Sequence, residues 1–157
     1  MEYRDVLQLM EEQFGKDCQF ALATAADGCP TVRFVDTCYC SEGFYIVTNA
    51  ASRKARQIQA NPNVSLSSRR MHSFTGKAFL IGHPLEPQNA QIRERLIEAF
   101  HPWYFRHNDE SSADMCYIRI EPENGFFHQD GVGYRIDFLK QSAEEFPFTF
   151  DISFTEE

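Results

Sequence analysis

Two runs rich in strand-forming residues, Gln19 to Thr24 and Pro30 to Tyr39, flank Ala26-Asp27-Gly28. An Asp-Gly pair between such runs marks a tight antiparallel hairpin, because its central positions need positive φ. The second run continues through Ser41-Glu42-Gly43 into a third, Gly43 to Thr48. Further along, Asn63 to Ser68 and Ser73 to Ile81 read as two more strands, with Arg69, Arg70, Met71 and His72 turning the corner and Gly82 and Pro84 closing the section. Met115 to Glu121 reads as another strand, and Gly125 to Phe138 as a pair of short strands around Asp130-Gly131. Antiparallel hairpins interrupted by isolated helices argue for a small closed barrel with helices outside it, and against a doubly wound parallel sheet. The absence of GxGxxG after the first strand agrees. The expected class is mainly β with peripheral helices (α+β).

Three helical stretches complete the reading. Val6, Leu7, Met10 and Phe14 form the stripe of a helix over residues 3–14, which Gly15 ends. Pro87 to Phe100 carries Ile92, Leu96, Ala99 and Phe100 on one side before His101-Pro102 stops it, and Phe105 to Ala113 is expected to be a polar loop. The tail, 140–157, alternates Phe146, Phe148, Phe150, Ile152 and Phe154 like a strand. Such an apolar edge needs covering, so docking on the barrel or on a partner subunit is expected.

The third helix is the one that suggests chemistry. In TNAASRKARQIQANP, Thr48 to Pro62, Ser52 is a suitable N-cap, Ala55 and Ile58 give one apolar face, and Asn61-Pro62 ends the run after about two turns. Arg53 and Lys54 occupy the first turn, where free N–H groups already make the helix end positive and each cation costs about 0.3–1 kcal/mol. A phosphate would resolve this by accepting bonds from the N–H groups, the Ser52 hydroxyl and both cations, with the small Ala50 and Ala51 letting it approach. An ordinary surface helix with its cations in water reads equally well from spacing alone. Arg33, amid Val32, Phe34 and Val35, needs an acceptor if it is buried: a carboxylate such as Asp36, or a ligand.

At 157 residues the chain is expected to be one domain, 1–157. Fifteen basic against 23 acidic residues give a net charge of -8, which disfavours general nucleic-acid binding and leaves room for a local basic pocket. Charges run through MEYRDVLQLMEEQF, and nowhere do apolar residues run together at membrane-spanning length, so a cytoplasmic protein without a membrane segment is expected. The five cysteines, without a CxxC pair, read as reduced thiols. Cys38 and Cys40 would share one face of a strand, which invites a redox or metal role, but two thiols fall short of a zinc site and no metal is expected.

Taken together, TVRFVD, GFYIVTNAASRKARQIQANPNVSLSS and FTGKAFLIG resemble the flavin-binding split barrel of the pyridoxamine 5'-phosphate oxidase family over about residues 19–85. The resemblance implies a six-stranded antiparallel split β-barrel that forms a homodimer, with FMN at the subunit interface. It implies that Thr48, Asn49, Ser52, Arg53 and Lys54 bind the flavin phosphate, and that Arg33 approaches the phosphate or ribityl side. Phe34 and Val35 would line the isoalloxazine through their backbone. Lys77, and the stretch Phe126, Phe127 and His128, would reach the second subunit's flavin. The chain departs from the family where the oxidase grips its substrate: Cys38, Ala99 and Trp103 stand in place of a lysine, a tyrosine and an arginine, and FFHQDGVGYRIDF lacks the late Arg-x-His pair. The implied activity is therefore an FMN-dependent oxidoreductase other than the vitamin B6 oxidase, using a small-molecule substrate or reduced nicotinamide. Trp103 and His128 are the substrate-pocket candidates, and no catalytic side chain is singled out among His72, His101, His107 and His128. Two alternatives stand beside it: a non-catalytic module that stores or senses FMN, and a haem-handling split barrel with His128 or His107 as axial ligand. The choice between FMN and a deazaflavin stays open.

Overall fold

The computed structural model describes residues 1–150. Its strands are β1 (Cys18–Ala26), β2 (Cys29–Cys40), β3 (Gly43–Asn49), β4 (Asn63–Ser67), β5 (Ser73–Gly82), β6 (Met115–Gln129), β7 (Val132–Asp137) and β8 (Ser142–Pro147). They form an antiparallel sheet in the order β3-β2-β1-β4-β5-β6-β7-β8, and a further pairing of β3 with β6 closes the first six into a barrel. This is the expected six-stranded barrel with helices outside it. The hairpins at Asp27-Gly28 and Asp130-Gly131 turn through positive φ, as their sequences require. Ser41 and Glu42 also adopt positive φ, so the reversal between β2 and β3 comes one step before Gly43.

Inside the barrel Phe20, Leu22, Leu66, Phe74, Ile118 and Ile120 alternate with outward residues. Helix α1 (Tyr3–Phe14) adds Val6, Leu7 and Met10 and inserts Phe14, whose ring centroid lies 5.7 Å from Phe20, 5.7 Å from Phe74, 5.8 Å from Phe127 and 5.1 Å from His72. A second core forms outside the barrel, where α3 (Ala90–Ala99) and α4 (Tyr104–His107) lay Leu96, Phe100 and Tyr104 over Cys38, Cys40, Tyr45 and Tyr117. Cys38 and Cys40 do share a face, as expected, and they are packing residues of this second core.

Several boundaries differ from the sequence reading, each for a local reason. The expected helix from Pro87 begins as a turn of 3-10 helix, Pro87–Asn89, and becomes α-helical only at Ala90. The expected polar loop opens with α4, because the Tyr104 N–H donates to the Phe100 carbonyl and restarts the helix beyond His101-Pro102. The strand expected to stop near Glu121 runs on unbroken to Gln129, with Glu123 as the extra residue of a bulge: Gly76 pairs with Pro122 and Thr75 with Asn124. A Cβ on Gly76 would meet the Glu121 carbonyl at 2.0 Å, so only glycine permits that crossing. In the tail, β8 pairs with β7, and the chain then carries Phe148 and Phe150 past it. Phe146 stacks on Phe126 at 5.9 Å, while Phe148 and Phe150 lie 4.8 and 5.3 Å from His128. The strand thus begins earlier and ends sooner than the alternation suggested, since Pro147 closes it; Ile152 and Phe154 lie outside the described residues.

Two outcomes test this packing. Phe14→Ala should lower unfolding stability by about 3–5 kcal/mol, read as a lower urea midpoint with an unchanged slope. His72 is 3 % exposed and faces His128 and Arg70, and burial first, then those two charges, lowers its pKa from 6.5 to about 4. Below pH 6.5 the unfolded chain therefore takes up a proton that the folded chain refuses, and stability falls as pH drops from 6.5 towards 4. His72→Leu should flatten that fall in unfolding measured across the same range.

Candidate functional site

Helix α2 (Arg53–Ala60) grows out of β3 through a short loop that its own polar groups hold. Asn49 Oδ1 accepts from the Ala51 N–H at 2.8 Å, and the Ser52 N–H donates to the Asn49 carbonyl. The Ala50 N–H donates to the Asp114 carbonyl, pinning the loop to the start of β6. Ser52 is the N-cap: its Oγ accepts from the Ala55 N–H at 3.3 Å and lies 3.3 Å from Thr48 Oγ1. The next two amides, of Arg53 and Lys54, precede the first intrahelical bond and have no acceptor among the described residues.

Arg33 meets this helix from β2. Its Nη2 donates to Gln57 Oε1 at 2.6 Å and its Nη1 to Thr24 Oγ1 at 2.8 Å, while the Thr24 hydroxyl also donates to Gln57 Oε1 at 2.6 Å. Arg33 therefore does not pair with Asp36. The reason is strand alternation: Arg33 points inward beside Leu22 and Thr24, whereas Asp36 is on the exposed side, where its carboxyl is raised by burial and by Asp17. The acceptors of Arg33 are neutral, so its charge is hydrogen-bonded but uncompensated. Burial, then the nearby Arg53 charge, lowers the Arg33 pKa, and burial followed by Arg33 lowers that of Lys54, against a smaller opposing pull from Cys116. Among the described residues none of Arg33, Arg53 and Lys54 has a carboxylate partner. Three cations thus face one another around two open amides.

The surrounding sheet is open at this place. β2 pairs with β1 from Cys29 to Thr37 but with β3 only at Cys38, Tyr39 and Cys40. The other edge of residues 29–37, including the backbone of Phe34 and Val35, carries no strand among the described residues. The Phe34 side chain is 68 % exposed and that of Val35 is buried in the barrel.

The remaining candidates lie elsewhere. Lys77, on β5, bonds Asn63 Oδ1 at 3.3 Å and pairs with Glu123 at 3.2 Å, beyond the far end of α2, which at eight residues is about 12 Å long. Trp103 stacks on Phe100 at 4.6 Å and donates from Nε1 to Asp17 at 2.7 Å. His128 is buried on the second half of β6, its Nε2 2.8 Å from the Arg70 carbonyl and its ring 4.7 Å from His72. Trp103 and His128 are therefore not brought to one pocket with the cations: one belongs to the helical layer, the other lies under the tail. Gln57 and Thr24 were not legible as site residues, because only the β1–β2 register and the packing of α2 on β1 bring them to Arg33.

The family model described as Pyridoxamine 5'-phosphate oxidase matches residues 7–129. The chain belongs to the pyridoxamine 5'-phosphate oxidase family. Solved structures with the same fold include HutZ, the heme storage protein of Vibrio cholerae, at TM-score 0.60 and 20% identity over 81% of this chain and 94% of that one. A putative pyridoxamine 5'-phosphate oxidase from Listeria innocua matches at TM-score 0.56 and 22% identity over 79% and 96% of the two chains. A FAD-binding protein from Mesorhizobium loti matches at TM-score 0.56 and 19% identity over 76% and 90%. At these identities the likeness is one of fold. No curated sequence matches. Proteins that share this fold thus include one named for FAD binding and one named for heme storage. Among the described residues no group of three or more metal-ligating side chains occurs, and no helix is long and apolar enough to cross a membrane.

The uncompensated charge makes a measurable statement. An ammonium whose pKa falls on folding destabilises the fold below that pKa, and the loss is recovered as pH rises towards the unfolded value of about 10.4. An anion that binds only the folded chain offsets it, by about 2.7 kcal/mol at one hundred times its Kd. Inorganic phosphate should therefore raise the Tm above that in chloride of equal ionic strength. Gln57→Glu, which gives Arg33 a carboxylate, should raise the Tm of the ligand-free protein and shrink the phosphate effect.

Proposed function

We propose that this protein binds FMN with the flavin phosphate at the N-terminus of α2, and that it is an oxidoreductase acting on a small molecule or on reduced nicotinamide. The observation that carries the reading is the uncompensated set of Arg33, Arg53 and Lys54 around the open amides of Arg53 and Lys54. A dianionic phosphate supplies the acceptors and the charge that this set lacks. Arg53 and Lys54 would hold it with their side chains and backbone, and the Thr48 and Ser52 hydroxyls lie beside it. Asn49 shapes the loop by bonding Ala51 and acts as a positioning residue. Arg33 would be presented to the phosphate or ribityl chain by Gln57 and Thr24. The open edge of β2 at Phe34 and Val35 offers backbone donors and acceptors to a flat polar ring.

FMN supplies the hydride chemistry when bound, and the protein's part is to place it and to leave one face open to a substrate. Vitamin B6 oxidation is not part of the proposal. Cys38, at the position of the oxidase's substrate lysine, is fully buried under α3, and Trp103 is engaged with Asp17. The same reading includes a homodimer that encloses the flavin, for which Val32, 65 % exposed, and Phe34 are apolar surface beside the site, and in which Lys77 would serve the partner's flavin.

The likeness to HutZ keeps a haem-handling reading in view. The His128 Nε2 is within 2.8 Å of the Arg70 carbonyl and must carry a proton to bond it, so that nitrogen is not an iron ligand here.

The purified protein should show flavin absorption bands after FMN is added and unbound flavin removed, and Arg53→Ala with Lys54→Ala should weaken binding at least about tenfold, equivalent to 1.4 kcal/mol. Equal binding by the double variant would count against the phosphate assignment. Bleaching of the bound flavin by reduced nicotinamide without oxygen separates an enzyme from a storage or sensing module. A Soret band with haem and no flavin uptake would transfer the assignment to haem.

A further inference from the structure

Beyond the phosphate site, the barrel carries a cavity of about 360 Å³ between the end of α1 and the strands β1 and β4. We propose that it binds a small organic acid with a flat apolar body. The volume lies at the lower end of the range of small-molecule sites, about 300–1,000 Å³. Its walls include the rings of Phe14, Phe20 and Phe34, and that of Phe34 is 68 % exposed. Aromatic walls accept a planar ligand by offset or edge contacts.

Charge decides the ligand's sign. Lys16, Arg69 and Arg70 line the same cavity in a chain whose net charge is -8. Asp17, the acid next to Lys16, is held by the Trp103 indole at 2.7 Å, and among the described residues the cavity lining contains no carboxylate. The Arg70 guanidinium lies 5.2 Å over the Phe150 ring, so its position is set by the tail. A carboxylate among these cations gains charge-assisted hydrogen bonds, while its apolar body leaves water for the phenyl rings.

Two further observations point to an occupant. His72, 3 % exposed, and Gln13 line the cavity, and His72 Nδ1 and Gln13 Oε1 are buried without hydrogen-bond partners among the described residues. Unsatisfied buried polar atoms are uncommon; the others among the described residues are the Tyr39 hydroxyl and Gln129 Oε1, and of the four residues only His72 and Gln13 line this cavity. With the Gln13 Nε2 amide donating to His72 Nε2 at 3.2 Å, the His72 proton is on Nδ1, which would donate to a ligand carboxylate oxygen, whereas Gln13 Oε1 accepts and would need a donor.

Cys18 reports on the site directly. It lines the cavity and is half-buried, whereas Cys29 is exposed and Cys38, Cys40 and Cys116 are buried. In the full chain carrying Cys29→Ser, alkylation of Cys18 by iodoacetamide at fixed pH is followed by mass spectrometry with naphthoate, naphthamide or decanoate present. Naphthoate should slow the reaction saturably and naphthamide should not. Lys16→Gln and Arg70→Gln should each raise the half-protecting concentration about three- to tenfold, the upper figure being 1.4 kcal/mol. Arg53→Ala with Lys54→Ala should leave the protection unchanged, which separates this site from the phosphate site. Equal protection by the amide and the acid, protection insensitive to both cation variants, or none by either acid would overturn the proposal.

Discussion

Strand β3 leaves β2 after three residue pairs and completes the barrel on β6, and most of what is distinctive in this protein follows from that departure. A closed antiparallel sheet removes its free edges, but closing it this way leaves residues 29–37 of β2 with one edge open. The loop from β3 into α2 crosses to the same region, where its amides and cations meet Arg33. The mouth is thus a consequence of how the barrel closes, and no inserted domain or long loop is needed to make it.

The electrostatics of the mouth run against local stability. Cations in the first turn of a helix oppose its dipole, and here they also oppose Arg33, whose acceptors Gln57 and Thr24 are neutral. A glutamate at position 57 would resolve the conflict within the chain. Glutamine instead orients the arginine and leaves its charge uncompensated. Arg93 shows the contrast: Glu110 bonds its Nε and Nη2 at 2.7 and 2.6 Å, and that pair ties α3 to the loop beyond α4.

Aromatic packing carries much of the remaining organisation. Phe14 joins α1 to the barrel, Phe100 and Trp103 join the helical layer, and Phe126, Phe146 and Phe148 join β6 to the tail. The long β6 connects these regions, because its first half closes the barrel against β3 and its second half pairs with β7. The bulge at Glu123 lets one strand serve both by bending between them. His128, read from the sequence as a pocket residue, is occupied instead by this packing, since the chain folds back through β8 and covers it.

Local chemistry by itself determined the hairpins at Asp27-Gly28 and Asp130-Gly131, the amphipathic stripe of α1, and the Ser52 cap with its two cations, because each depends on residues within one or two turns of chain. Only the tertiary structure decided that Arg33 meets Gln57 and Thr24 rather than Asp36, that Cys38 and Cys40 are packing residues, and that Trp103 and His128 lie apart. Those outcomes depend on strand register, on which face of β2 the helices cover, and on the return of the tail. Each is settled by burial of surface between segments far apart in sequence, which no local pattern records.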